Sequence, residues 1–209
     1  MAQVDFSTFP ILHSPRFLLR QITQDDLRAV FDGLSNPQVI VNYGVSYASL
    51  EEAQRQMDWF EEIYSNGTGI WWAVCYSIER PALLGAVGLN DIDAVHRRGE
   101  IGYWLMPEHW GSGIARECVS TVLSFAFGPL GLHRIGAEVD MDNYRSAALL
   151  EHLGFQLEGV RRGYECKQAA FLDLKSYSRL ATDPACGANN SFTRCRFAAR
   201  VNSGVRGLK

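Results

Sequence analysis

One stretch limits the possible folds of this chain more than any other: Glu100-Ile-Gly-Tyr-Trp-Leu-Met-Pro-Glu-His-Trp-Gly-Ser-Gly-Ile-Ala115. Residues 100–105 read as a strand, which Pro107 breaks. The tight loop His109-Trp-Gly-Ser-Gly113 then leads into a helix whose inward stripe is Ala115, Cys118, Val119, Val122 and Ala126. At that helix N-terminus the backbone N–H groups of Gly111, Ser112, Gly113, Ile114 and Ala115 have no intrahelical partner. Such a turn suits a diphosphate, because the donors and the helix dipole act together and glycine lets the group approach the backbone. It is not a nucleotide P-loop, since no Lys-Ser/Thr follows, and Arg116 stands where a GxGxxG pattern needs its third small residue. Taken alone, a glycine-rich strand–helix corner explains it equally well.

The rest of the chain frames this unit. Residues 16–22 form a first strand. Thr23 caps a helix carrying Leu27, Val30, Phe31 and Leu34 on one face, and Asn36-Pro37 stops it. Ser49-Leu-Glu-Glu52 is a capping-box pattern for a second helix with Ala53, Met57, Phe60 and Tyr64 inward, ended by Asn66-Gly67. Residues 70–78, 83–92 and 100–105 are three strands with no helix between them, which predicts an antiparallel meander. After the central helix come a strand at 133–140, a helix at 143–153 closed by Gly154, and a hairpin of 155–161 with 171–180. The predicted order is β-α-α-β-β-β-α-β-α-β-β, an α/β (α+β) fold with one mixed sheet and a single domain over residues 1–182.

Composition excludes several classes. A hydrophobic content of 47% and a charged content of 21% are those of a globular protein with a real core. No apolar run approaches the ~18–20 residues of a membrane span, and 1–10 shows no basic n-region of a secretory signal. A net charge of −3 argues against a nucleic-acid binder. That charge is uneven: residues 183–209 carry +4, so the body carries −7. This basic extension loses hydrophobic periodicity and reads as flexible. Five scattered cysteines without CxxC, and five histidines without HxxxH or HExxH spacing, give no disulfide framework and no metal site. A reduced, cytoplasmic protein is the plain expectation.

A second motif decides among the readings of the loop. Asp142-Asn-Tyr-Arg-Ser-Ala-Ala-Leu-Leu-Glu-His-Leu-Gly-Phe155 follows about 30 residues on. Together with Gly-Tyr-Trp-Leu and Trp-Gly-Ser-Gly-Ile-Ala, it resembles the GNAT acetyltransferases, and within them the RimJ/RimL branch, named for N-terminal acetylation of ribosomal proteins. Glu117, Asn143, Ser146, Leu150, Gly154 and Phe155 fall in register with that branch, and the resemblance spans residues 16–180.

The resemblance implies a twisted, mostly antiparallel sheet of about seven strands with a V-shaped splay, flanked by about four helices. It implies acetyl-CoA as co-substrate and no metal. The pyrophosphate would lie on the amides of Gly111, Ser112, Gly113, Ile114 and Ala115, behind Trp110. Leu105 and Met106 would offer backbone hydrogen bonds to the pantetheine arm, Asn143 would bond its amide, and Ser146 would face the sulfur. One departure matters: many members carry a Tyr where Leu150 stands, as acid to the leaving thiolate. Ser146 is the expected replacement, with Tyr144 as fallback.

Acetyl transfer needs a neutral amine, a polarised carbonyl and a stabilised thiolate. Neutralising an α-amine at pH 7 costs ~1.4 kcal/mol and a lysine ~4.6 kcal/mol. Glu100 is the candidate base, acting through water; a surface carboxylate paired with Arg97 or Arg98 is the competing reading. Asn90, Asp91 and Asp93 are either amine-orienting groups or turn residues. Tyr43, Tyr47 and 161–164 are candidate acceptor-site walls. Trp59, Trp71, Trp72, Tyr103 and Trp104 are read mainly as core, with Trp71 and Trp72 on opposite faces.

The expected function is direct attack of a primary amine, a protein N-terminus or a small amine, on acetyl-CoA. A non-catalytic acyl-CoA-binding module with the same fold is the alternative. Neither nucleic acid nor membrane is an expected partner, and a homodimer, frequent in the resembled family, is left open.

Overall fold

The computed structural model describes residues 8–79, 81–167 and 169–184. Residues 185–209 of the basic extension lie outside the described residues. Eight strands form one sheet: β1 (Leu12–His13), β2 (Leu18–Gln21), β3 (Ile70–Cys75), β4 (Gly85–Asp93), β5 (Arg98–Leu105), β6 (Arg134–Asp140), β7 (Gln156–Lys167) and β8 (Ala170–Leu180). Among the described residues five α-helices accompany them: α1 (Leu27–Leu34), α2 (Pro37–Ile40), α3 (Leu50–Ser65), α4 (Ile114–Phe127) and α5 (Tyr144–His152). The spatial order is β1-β2-β3-β4-β5-β6-β8-β7, and among the described strands only the neighbours β5 and β6 run parallel.

The predicted order of elements holds, with two additions. Leu12–His13 adds a strand by pairing with Leu18 and Leu19. Asn36-Pro37 ends α1 but also starts α2: the Asn36 side chain accepts from the Gln38 N–H, and proline fits a first helical turn. The capping box of α3 closes one residue early, since Glu52 accepts from the Ala48 N–H while Ser49 accepts from the Glu52 N–H. On α4, Ile114 is buried and Ala115 only half-buried, so the inward stripe begins one residue sooner than expected.

The sheet has two cores, set by strand alternation. Trp72, Val87, Ile101 and Leu105 pack under Val119, Val122 and Leu123 of α4 and Leu150 of α5. On the other face Trp71, Ala86 and Trp104 pack under Val30 and Leu34 of α1 and Met57 and Phe60 of α3. Trp71 and Trp72 do lie on opposite faces. Trp71 runs across Gly88 and Gly102: a Cβ built at either would sit 2.3 Å or 2.8 Å from its indole. The glycine of Gly-Tyr-Trp-Leu is thus the floor beneath a tryptophan.

The decisive feature is where β5 and β6 part. They pair at only three positions, Arg98 with Arg134, Gly99 with Ile135 and Glu100 with Gly136. Beyond that, β5 stays with β4 as far as Leu105 opposite Gly85, and β6 stays with β8 as far as Asp140 opposite Leu174. The sheet therefore opens between 101–105 and 137–140.

Candidate active site

The opening is a cleft of about 1350 Å³ that passes through the sheet. One mouth is built by α4 and α5, with Gly111, Ile114, Asn143 and Ser146 on its wall; the other is built by Val39, Val41, Tyr43 and Glu165. Ligands reaching the middle can therefore enter from opposite faces.

At the first mouth Gly111 and Gly113 both adopt left-handed backbone, with φ of 74° and 80°. Consecutive amides in such a turn form an anion-binding concavity. Among the described residues, no acceptor takes the N–H groups from Gly111 to Arg116. Nothing lies within 4 Å of a Cβ built on Gly111, so the cradle is open. The Ser112 hydroxyl closes the loop by donating to the His109 carbonyl at 2.7 Å. Arg116 and Arg145 line the same mouth without a carboxylate partner among the described residues. Unpaired amides beside unpaired cations fit a phosphate-bearing ligand.

Glu117 has a different task. Burial opposes its ionisation, but hydrogen bonds from the Ser14 hydroxyl and from Arg16 hold its pKa below the ordinary value. It ties the β1–β2 turn to α4.

Deeper in, strand parity selects the available backbone groups. The Met106 N–H donates to the Leu84 carbonyl at 2.9 Å, so even-numbered residues of β5 turn toward β4. Met106 therefore has no free amide to offer, and the Leu105 carbonyl accepts from the Trp110 indole at 2.9 Å. The amides of Tyr103 and Leu105 point into the gap. Asn143 caps α5, its side-chain oxygen accepting from the Ser146 N–H at 3.1 Å, which leaves its NH₂ open. Ser146 and Tyr103 share a hydrogen bond of 2.7 Å inside the cleft. Burial pushes the Tyr103 pKa up to about 12, against the lowering effect of Ser146. Tyr144 lines the same cleft but is 70% exposed, with the Lys175 ammonium over its ring. Leu150 is fully buried in the core.

Glu100 is on the other face. It lies at the apex of the splay, in a smaller cavity shared with Asp91, Arg134, Glu138 and Arg161, and not on the wall that carries Ser146. Burial raises its pKa and Asp91 adds to the rise, while Arg161, Arg134 and Arg98 oppose it. Glu138 borders both cavities and pairs with Arg161. Asp93 accepts from the His96 N–H at 2.8 Å and pairs with Arg98, as a turn residue does. Tyr43 is half-buried on the cleft wall, and Tyr47 is tied to Gln56 at 2.8 Å.

A GNAT acetyltransferase domain model matches residues 16–156. The chain belongs to the GNAT acetyltransferases. An uncharacterized N-acetyltransferase of Bacillus subtilis, YoaA, is 42% identical over 171 residues, covering 81% of this chain and 96% of that one. The ribosomal-protein-serine acetyltransferase of Escherichia coli is 30% identical over 98 residues, covering 47% of this chain and 55% of that protein. The crystal structure of a Vibrio cholerae spermidine N-acetyltransferase, in complex with CoA and spermine, superposes with a TM-score of 0.71 at 25% identity, covering 80% and 97% of the two chains. This GNAT chain shares its mixed sheet and is an acyltransferase by family.

Proposed function

We propose that this GNAT protein moves the acetyl group of acetyl-CoA to a primary amine, the two meeting from opposite faces of the sheet. The observation that carries this reading is the cleft through the splay, with an amide cradle at one mouth and the carboxylate of Glu100 beside the other side of β5. Acetyl-CoA, when bound, supplies the acyl group and the leaving thiolate.

The chain's own residues divide the remaining work. The amides of Gly111 to Ala115 hold the phosphates, with Trp110 tying the loop to β5. The Asn143 NH₂ bonds the arm, and the Leu105 N–H polarises the thioester carbonyl. Tyr103 keeps its proton at working pH and holds the Ser146 hydroxyl in place; in the arrangement where Tyr103 donates, the Ser146 proton is free for the sulfur. Glu100, acting through water, accepts the proton of the attacking amine.

The acceptor is a primary amine: a small amine such as a polyamine, or a protein N-terminus. Glu138 and Glu165 line the cleft, and Glu165 has no basic partner among the described residues, which supports a cationic acceptor by charge complementarity. Free-thiol release from acetyl-CoA, screened across spermidine, spermine and ribosomal N-terminal peptides, tests the reading. Turnover with at least one amine, lost in Glu100→Gln, supports it. CoA binding without turnover on any amine overturns it in favour of an acyl-CoA-binding module.

A further inference from the structure

Lys167 reaches across the molecule to a segment more than 120 residues away in sequence. Its ammonium donates to three backbone carbonyls, those of Ile40 at 2.7 Å, Val41 at 2.8 Å and Tyr43 at 3.1 Å. An ammonium has three protons, and each has an acceptor here. The three carbonyls belong to the end of α2 and the loop after it, which forms the wall of the cleft opposite the amide cradle. Lys167 itself ends β7, at the far end of the β7–β8 hairpin.

The two segments also meet closely beside this clasp. A Cβ built on Gly44 would lie 3.3 Å from a carboxylate oxygen of Glu165, so the absent side chain lets the wall lie against the hairpin. Glu165 and Lys167 stand two positions apart on one strand, on the same face. With its donors taken by carbonyls, Lys167 forms no ion pair with Glu165, whose charge stays turned to the cleft.

We propose that Lys167 is a positioning residue for the acceptor: it fixes the 38–44 wall, with Tyr43, against the hairpin and so sets the width of the acceptor mouth. The inference rests on the through-sheet reading above, in which the amine enters on this side. The position of the wall depends on a contact that the cofactor mouth does not share, so its loss separates the two substrates kinetically.

Lys167→Met is the test, read in two ways. Hydrogen exchange of 38–44 is expected to rise at least ~10-fold, with exchange in α4 unchanged. The KM for the amine that turns over fastest in the screen above is expected to rise at least ~5-fold, with KM for acetyl-CoA within about twofold. Lys167→Arg keeps the charge and should recover part of both effects. Unchanged exchange at 38–44 overturns the proposal, and so does faster exchange with an unchanged amine KM. If Lys167→Met does not fold, Gly44→Ala pushes on the same contact from the other side and carries the same two readouts. Should no amine turn over, the catalytic reading fails, while exchange at 38–44 still decides whether Lys167 holds the wall.

Discussion

The hydroxyls of Tyr103 and Ser146 meet at 2.7 Å, joining the strand at the edge of the splay to the first turn of α5. The pair stands beside Leu150, the position where many family members carry a tyrosine. The Tyr103 phenol, its pKa pushed up to about 12, keeps its proton at working pH, and either hydroxyl of the pair can be the donor. Ser146→Ala should lower kcat at least ~10-fold, in the range of a lost acid–base group. Tyr103→Phe should lower it less, about 3–10-fold, because the serine remains but loses the partner that orients its hydroxyl. Steady-state kinetics on both variants check this. A Tyr103→Phe enzyme with wild-type kcat would remove the tyrosine from the mechanism.

Glu100 should set the acid limb of the pH profile. Burial, then the charge of Asp91, raises its pKa, so the ionised base is lost at a higher pH than an ordinary glutamate would allow. The same shift has a definite sign for stability. A carboxyl with a raised folded pKa stabilises fully below its unfolded pKa, and that contribution is lost as pH rises through the folded value. Glu100→Gln should therefore cut kcat/KM at least ~10-fold and move the acid limb, while the melting temperature at pH 8 rises or holds. A fall in both activity and melting temperature would make Glu100 a structural ion-pair partner of the surrounding arginines.

Most of the fold was legible because its signals are local. Caps at Thr23 and Ser49, the closing Gly154, and apolar periods of 3.6 and 2, act within a few residues. The two-residue β1 and the short α2 escaped, since Asn36-Pro37 stops one helix and starts the next with the same chemistry. The site was legible in part. The loop amides and Ser146 were legible because the glycine turn and the 142–155 motif each carry their own pattern. The partnership of Tyr103 with Ser146 spans 43 residues and that of Lys167 with Ile40 spans 127, and no local pattern announces either. One signal was available and points the right way: Glu100 and Tyr103 are three apart on a strand, and alternation alone puts them on opposite faces.

The glycine beneath Trp71 should be intolerant of any side chain. A Cβ at Gly88 would fall 2.3 Å from the Trp71 ring, which is itself pinned by donating to the Asn90 side chain at 2.6 Å. Overpacking of this kind costs ~1–3 kcal/mol or more. Gly88→Ala should lower the melting temperature by several degrees, and Gly102→Ala, at 2.8 Å, by less. Calorimetry on the two variants checks the order, and equal or absent losses would show that Trp71 can move aside.

The amide cradle makes the last prediction. Gly113 holds φ of 80°, where an added Cβ costs roughly 1–2 kcal/mol, and that Cβ would touch Arg16 at 3.4 Å. Relieving that strain by changing φ at residue 113 re-aims the amides of 113 and 114. Gly113→Val should therefore weaken CoA binding at least ~10-fold by titration calorimetry, equivalent to ~1.4 kcal/mol. With the pyrophosphate on these amides, as proposed above, dephospho-CoA and CoA should lose affinity equally. Helix α4 continues from Ile114 to Phe127 with seven buried residues, so the far-UV spectrum should not change. A CoA affinity that survives Gly113→Val would move the phosphate contacts from these amides to Arg116 and Arg145.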